Sequence, residues 1–140
     1  MTADTMDARL AGAWRLAAFV TVEADGVSPG PLGDAPTGLL VYDPDGYMSV
    51  AMMGQANGEP GAAAVPRYMS YAGTWRCDGD EVVHRITIAP DASWIGTEQV
   101  RRIELSGATL KLYGRSLTGD RRLRLLEWTR LPRATDLPDG

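Results

Sequence analysis

The chain has one cysteine, Cys77, and one histidine, His84, among its 140 residues. A lone cysteine excludes an intrachain disulfide and any zinc site built from several cysteines. Metal binding would then fall to carboxylates, and no ligand spacing supports such a site, so neither metal nor cofactor is expected. Lysine is almost missing: Lys111 stands alone, and the other basic residues are arginines. The formal net charge is -4. The chain therefore lacks the basic face that phosphate recognition needs, which argues against nucleic acid as its partner. No stretch approaches the roughly 20 apolar residues of a membrane span. The first ten residues carry Asp4 and Asp7 and no apolar run, unlike a secretory signal, so the expected location is the cytoplasm.

Hydrophobic residues make up 44% and charged residues 23%, a balance that favours a packed core over disorder. Sixteen glycines and nine prolines are scattered as punctuation, with segments of strand length between them. After a short helical turn at Met6 to Leu10, strands are predicted at 10–23, 38–42, 47–53, 68–77, 82–89, 98–105, 110–115 and 123–130. Turns are predicted at Asp25-Gly26, Asp45-Gly46, Asp78-Gly79, Ser106-Gly107 and 117–120. A Pro/Gly-rich loop covers 28–36. A longer irregular one covers 54–66, where a lid over a pocket would fit. A helical reading fails, because apolar residues alternate in twos and Gly or Pro interrupts every longer stretch. The fold class expected is all-β, one domain with its core at 10–131. About eight strands in consecutive hairpins favour an antiparallel up-and-down β-barrel, the size that holds one small ligand, over a β-sandwich.

Alternation assigns faces. Trp14, Leu16, Ala18, Val20 and Val22 share one face. Val82, His84, Ile86 and Ile88 share another, so His84 should point inward. On the next strand Gln99, Arg101, Ile103 and Leu105 share a face, with Gln99 and Arg101 near the Trp94 loop. Tyr71, Gly73, Trp75 and Cys77 point one way, as do Met48, Val50 and Met52, then Leu40 and Tyr42. Leu126, Trp128 and Arg130 share a face of the last strand. The expected lining is apolar and aromatic with a few polar groups, as in small-molecule pockets.

His84 is read either as a general acid/base, for which its pKa suits it, or as a core histidine satisfied by a neighbour. Arg101 either meets a ligand oxygen, or joins a buried salt bridge, or points outward. A dry, unpartnered guanidinium would be prohibitive, so an inward Arg101 implies water, a carboxylate or an anionic ligand. His84 and Arg101 are the candidate catalytic residues. Tyr42, Met48, Met52, Tyr71, Trp75, Trp94 and Gln99 are the candidate substrate-binding residues. Most tryptophans read as core, and Trp94 stands apart because it lies in a turn. Cys77 reads as a small buried residue with no base beside it.

Four segments resemble the bacterial lipocalin-like domain family of calycin-type barrels. Gly12 to Leu16 is similar to its G-x-W opening, and Pro36 to Ser49 to its G-L-L-x-Y-x-x-D-G-Y-M-S hairpin. Tyr68 to Trp75 is similar to its Y-x-x-Y-x-G strand, and Trp94 to Arg101 to its W-x-G-T-x-Q-V-R segment. The stretch at 54–67 is shorter than is usual in that family, and His84-Arg85 stands where two histidines are common. The resemblance implies a barrel closed at one end by Trp14 packed on an arginine of the last strand, Arg130 or else Arg124. It also implies a bound small molecule. Some barrels of this type act as cyclases or isomerases in natural-product pathways. Two functions are therefore expected side by side: a carrier for a small, mostly apolar oxygenated molecule, and a cofactor-free cyclase or isomerase for a polyketide-like substrate. A homodimer is compatible with either.

Overall fold

The computed structural model describes residues 5–54, 67–115 and 121–137. A five-residue helix, α1 (Met6–Leu10), leads into β1 (Gly12–Glu23). Then follow β2 (Gly26–Pro29), β3 (Thr37–Tyr42), β4 (Tyr47–Met53), β5 (Tyr68–Asp78), β6 (Glu81–Ile88), β7 (Glu98–Ser106), β8 (Thr109–Arg115) and β9 (Leu123–Arg130). Each of β3 to β8 pairs antiparallel with the next, and β1 pairs with both β3 and β9. The sheet thus closes into an eight-stranded barrel, with β2 as a ninth strand hooked onto the far end of β1. The expected lid at 54–66 and turn at 117–120 lie outside the described residues, apart from Gly54.

The strand β2 falls partly in the stretch read as loop. It is four residues long and ends in Pro29, which an edge strand tolerates because its N–H side faces no partner. The face assignments hold along most strands and fail at two bulges. In β1, Leu16 pairs with Trp128 and Ala18 with Glu127, so Ala17 is an extra residue. Trp14 and Leu16 point inward before it; Phe19 and Thr21 do so after it, instead of Val20 and Val22. One inserted residue flips every later side chain to the other face. In β6, Ala72 pairs with Ile88 and Gly73 with Ile86, leaving Thr87 extra. Ile88, expected inward, is 68% exposed as a result.

One end of the barrel is closed by the arginine that the sequence resemblance implied. The Arg130 guanidinium lies 4.1 Å from the centre of the Trp14 ring and donates to the carbonyls of Arg9 and Ala11. The Trp14 indole donates to the Leu10 carbonyl at 2.9 Å. Together they satisfy the backbone oxygens that α1 leaves open at its C-terminus. Gly12 makes this approach available. It adopts φ +125°, and a β-carbon there would sit 2.9 Å from an Arg130 nitrogen.

Gly73 plays a similar part at the second bulge, where β6 bends against β5. A β-carbon on Gly73 would overlap the Arg85 carbonyl oxygen and lie 2.9 Å from its carbon. Backbone cannot swing aside as a side chain does. Gly73→Ala is therefore expected to destabilise the fold by roughly 1–3 kcal/mol, the usual range for overpacking. Urea unfolding measures this, and an unchanged midpoint would mean that β6 does not pass so close.

Candidate functional site

Three polar side chains meet inside the barrel. His84 lies on β6 between Val82 and Ile86, and all three are buried. Tyr42, at the end of β3, and Tyr71, on β5, also face inward. The Tyr42 hydroxyl is 2.5 Å from His84 Nε2, and the Tyr71 hydroxyl is 2.6 Å from His84 Nδ1. The imidazole is thus clasped on both nitrogens. Trp75, opposite His84 in the ladder, packs on the Tyr42 ring at 4.5 Å and donates its indole N–H to the Asp43 carbonyl.

The cluster borders an internal cavity of about 40 Å³. Tyr71, His84 and Arg101 form its polar side with Arg124. Leu40, Val50, Met52, Met69, Leu112 and Leu126 form much of its apolar side, completed by Phe19 and Pro31, and the Trp128 indole adds to the wall. This volume holds a few water molecules; drug-sized ligands occupy about 300 Å³ or more. A larger guest requires repacking, for which the unbranched Met52 and Met69 are suited.

Arg101 reaches the cavity from β7 and is 8% exposed. Its space comes from Gly114 on β8, where a β-carbon would lie 2.7 Å from the guanidinium carbon. Its hydrogen bond is a 3.3 Å contact to the carbonyl of the preceding Val100. Among the described residues it forms no ion pair, and no carboxylate lines the cavity. Arg124 donates to the Thr21 hydroxyl, which the β1 bulge turned inward.

The electrostatics follow from burial. Desolvation, and then the Arg101 charge, push the His84 imidazole down to about 3, so it is neutral at pH 7. Burial pushes the Tyr71 phenol up to about 12, against a lowering pull from Arg101. Burial, with the neighbouring Tyr71, raises Tyr42 well above its ordinary value. Burial lowers Arg101, while the two tyrosines pull the other way. Arginine starts too high to lose its proton, so the Arg101 cation stands beside three neutral groups, with the Arg124 guanidinium on the same cavity wall. Away from the cluster, burial and then Asp7 push the Cys77 thiol up to about 11, which keeps it protonated. No group of three His, Cys, Asp or Glu that could hold a metal occurs among the described residues.

Of the residues singled out from the sequence, Met52, Tyr71, His84 and Arg101 come together at the cavity. Tyr42 stands behind His84, and Trp75 behind Tyr42. Met48 is buried opposite Tyr42 in the ladder. Gln99, half-buried, pairs with His84 across the ladder but does not line the cavity. Trp94 lies in a short 3-10 turn, edge-on to Tyr71 at 6.5 Å and also off the cavity wall. Sequence reasoning had not placed Arg124 there. The alternation that placed Leu126 and Trp128 inward reaches Arg124 when extended two residues back.

A family comparison agrees with the architecture. A family model described as lipocalin-like domain matches residues 11–131. A search of curated proteins finds no match. Among solved structures, a mutant of the fluorescent protein UnaG aligns at 18% identity with a TM-score of 0.42, covering 94% of this chain and all of that one. No helix among the described residues is long and apolar enough to cross a membrane.

The depressed His84 pKa has a consequence for stability. The unfolded chain takes up a proton on this imidazole near pH 6.5, and the folded chain only near 3. In that window the unfolded state holds more protons, so stability falls as pH falls. The contribution is complete above pH about 6.5 and is lost by about 1.4 kcal/mol per pH unit below it. Wild type is therefore expected to lose more stability than His84→Gln between pH about 6.5 and 4.5, as read by urea unfolding. Parallel pH profiles would mean that the imidazole is not buried neutral.

Proposed function

The chain belongs to the lipocalin-like domain family, and from that premise we propose that its barrel binds a small, mostly apolar oxygenated organic molecule, oriented by Arg101. The observation that carries this reading is the buried guanidinium itself. It borders an otherwise largely apolar cavity, and among the described residues it has no carboxylate partner. A buried cation without a counter-charge costs several kcal/mol, and a well-packed apolar residue would avoid that cost. Ligand recognition gives the chain a reason to keep it. Apolar burial along Leu40, Val50 and Met52 supplies affinity, and Arg101 supplies orientation.

A second, finer reading is a cofactor-free cyclase or isomerase for a polyketide-like substrate. It is favoured by one feature: Arg101 lies beside a chain of hydrogen bonds running from Tyr71 through His84 to Tyr42. The guanidinium would stabilise a developing enolate, while the barrel holds a flexible substrate in a reactive shape. Both His84 nitrogens are engaged by tyrosines. A proton exchanged with a substrate would therefore pass through the Tyr71 hydroxyl, with His84 acting behind it.

Arg101→Met separates function from stability. Removing the charge is expected to leave stability equal or raised, by up to about 1–4 kcal/mol. The same change should weaken binding of the apolar anionic dye anilinonaphthalene sulfonate about tenfold or more, as expected for losing a hydrogen bond to a charged group. Native mass spectrometry of the freshly purified chain should show a retained small molecule, and the variant should lose it. Strong destabilisation with unchanged dye binding would make Arg101 structural and sink this reading. Once a converted substrate is in hand, His84→Ala and Arg101→Ala should both abolish turnover; normal turnover in both removes the enzymatic reading.

A further inference from the structure

The hydroxyl and imidazole protons inside the barrel can be counted, and the count says what the ligand must offer. Tyr42 is fully buried, and His84 Nε2 is its one hydrogen-bond partner among the described residues. Two neutral arrangements are available. In one, Tyr42 donates to Nε2, so the imidazole proton sits on Nδ1 and donates to the Tyr71 oxygen. The Tyr71 proton is then left over. In the other, Tyr71 donates to Nδ1, Nε2–H donates to Tyr42, and the Tyr42 proton is left over. Tyr71 lines the cavity and Tyr42 does not. Stranding a proton at Tyr42 forfeits a buried hydrogen bond; leaving it at Tyr71 presents it to whatever fills the cavity. An unmade buried bond costs enough to favour the first arrangement by about tenfold or more.

A second observation points the same way. Trp128, 1% exposed and lining the same cavity, carries a buried indole N–H with no acceptor among the described residues. Arg101 offers N–H groups and can accept nothing.

We propose that this cavity presents hydrogen-bond donors to its guest, from the Arg101 guanidinium, the Tyr71 hydroxyl and the Trp128 indole, and that it selects a ligand ending in an oxygen anion such as a carboxylate or enolate. Tyr42 never touches that ligand; it is a positioning residue that sets, through the His84 tautomer, which way the Tyr71 hydroxyl points. Ammonium groups are disfavoured, because they carry no lone pair to accept these donors and would meet the Arg101 charge. This inference rests on the reading of the cavity as the ligand site.

Two measurements on the full chain test it. His84 is the sole histidine, so long-range proton–nitrogen NMR of the labelled protein reports one imidazole. The proton is expected on Nδ1. Calorimetry at pH 7.5 with hexanoate, hexanol and hexylamine should rank hexanoate at least tenfold above hexylamine. Tyr71→Phe should weaken hexanoate about fivefold, the value of one hydrogen bond. A proton on Nε2, or hexylamine binding as tightly as hexanoate, overturns the assignment of these donors even if the cavity binds ligands. Failure of all three probes, with no small molecule retained in native mass spectra, instead removes the site reading beneath it.

Discussion

Closing a sheet on itself makes one strand serve two neighbours, and here that strand is β1. Its first half pairs with β3 on one edge and its middle with β9 on the other. The Ala17 bulge falls within the β9 ladder, just past the residues that pair with both neighbours. Everything inside depends on that closure. It turns two open edges into a ladder, and it converts one face of each strand into a wall of a shared interior. The Trp14–Arg130 contact fixes its register at one end, where a flat aromatic ring and a delocalised cation stack while α1's carbonyls take the remaining N–H groups. The same bulge turns Thr21 toward Arg124. One extra residue in a wall strand thus shapes the polar side of the interior.

That interior sets a cation against neutrality. Burial disfavours every charge within it, and His84, Tyr42 and Tyr71 all respond by staying uncharged. Arg101 cannot, because its guanidinium holds its proton far too tightly. The Arg101 charge in turn helps keep the imidazole neutral. A neutral imidazole has one donor and one acceptor, and two tyrosines occupy both. The network is therefore directional, and its direction is set by which tyrosine lies deeper.

Much of this fold could be read along the chain, for a physical reason. Alternating burial prints a two-residue period on strands such as Tyr47–Met53, and Asp-Gly pairs mark tight turns such as that at Asp45-Gly46. Bulges print nothing comparable. Ala17 and Thr87 look like ordinary strand residues, so the phase errors at Val20, Val22 and Ile88 could not be seen locally. Only Gly73 hints at the second one. The site was legible in part for the same reason. His84 and Arg101 stood out as polar residues in phase with apolar ones. The spatial order, with Tyr42 behind His84 and Trp94 outside Tyr71, depends on contacts between strands far apart in sequence. Gly114 gives the clearest case. Its role is the absence of a side chain where Arg101 lies, and that becomes visible only once β7 and β8 are side by side.

The β1–β9 ladder also places Gly12 and Arg130 at the same end of the barrel, with an Arg130 nitrogen against the Gly12 α-carbon. Chain order and wall order are therefore nearly the same thing, and the wall has no natural first strand. A rewired polypeptide that begins at the Asp78–Glu81 turn, with a short linker bridging the present ends of the barrel, would traverse the same eight staves in the same spatial sequence. In such a molecule the β5–β6 turn becomes the break. The Trp14–Arg130 stack, now a contact between the two ends of the barrel, becomes an internal joint.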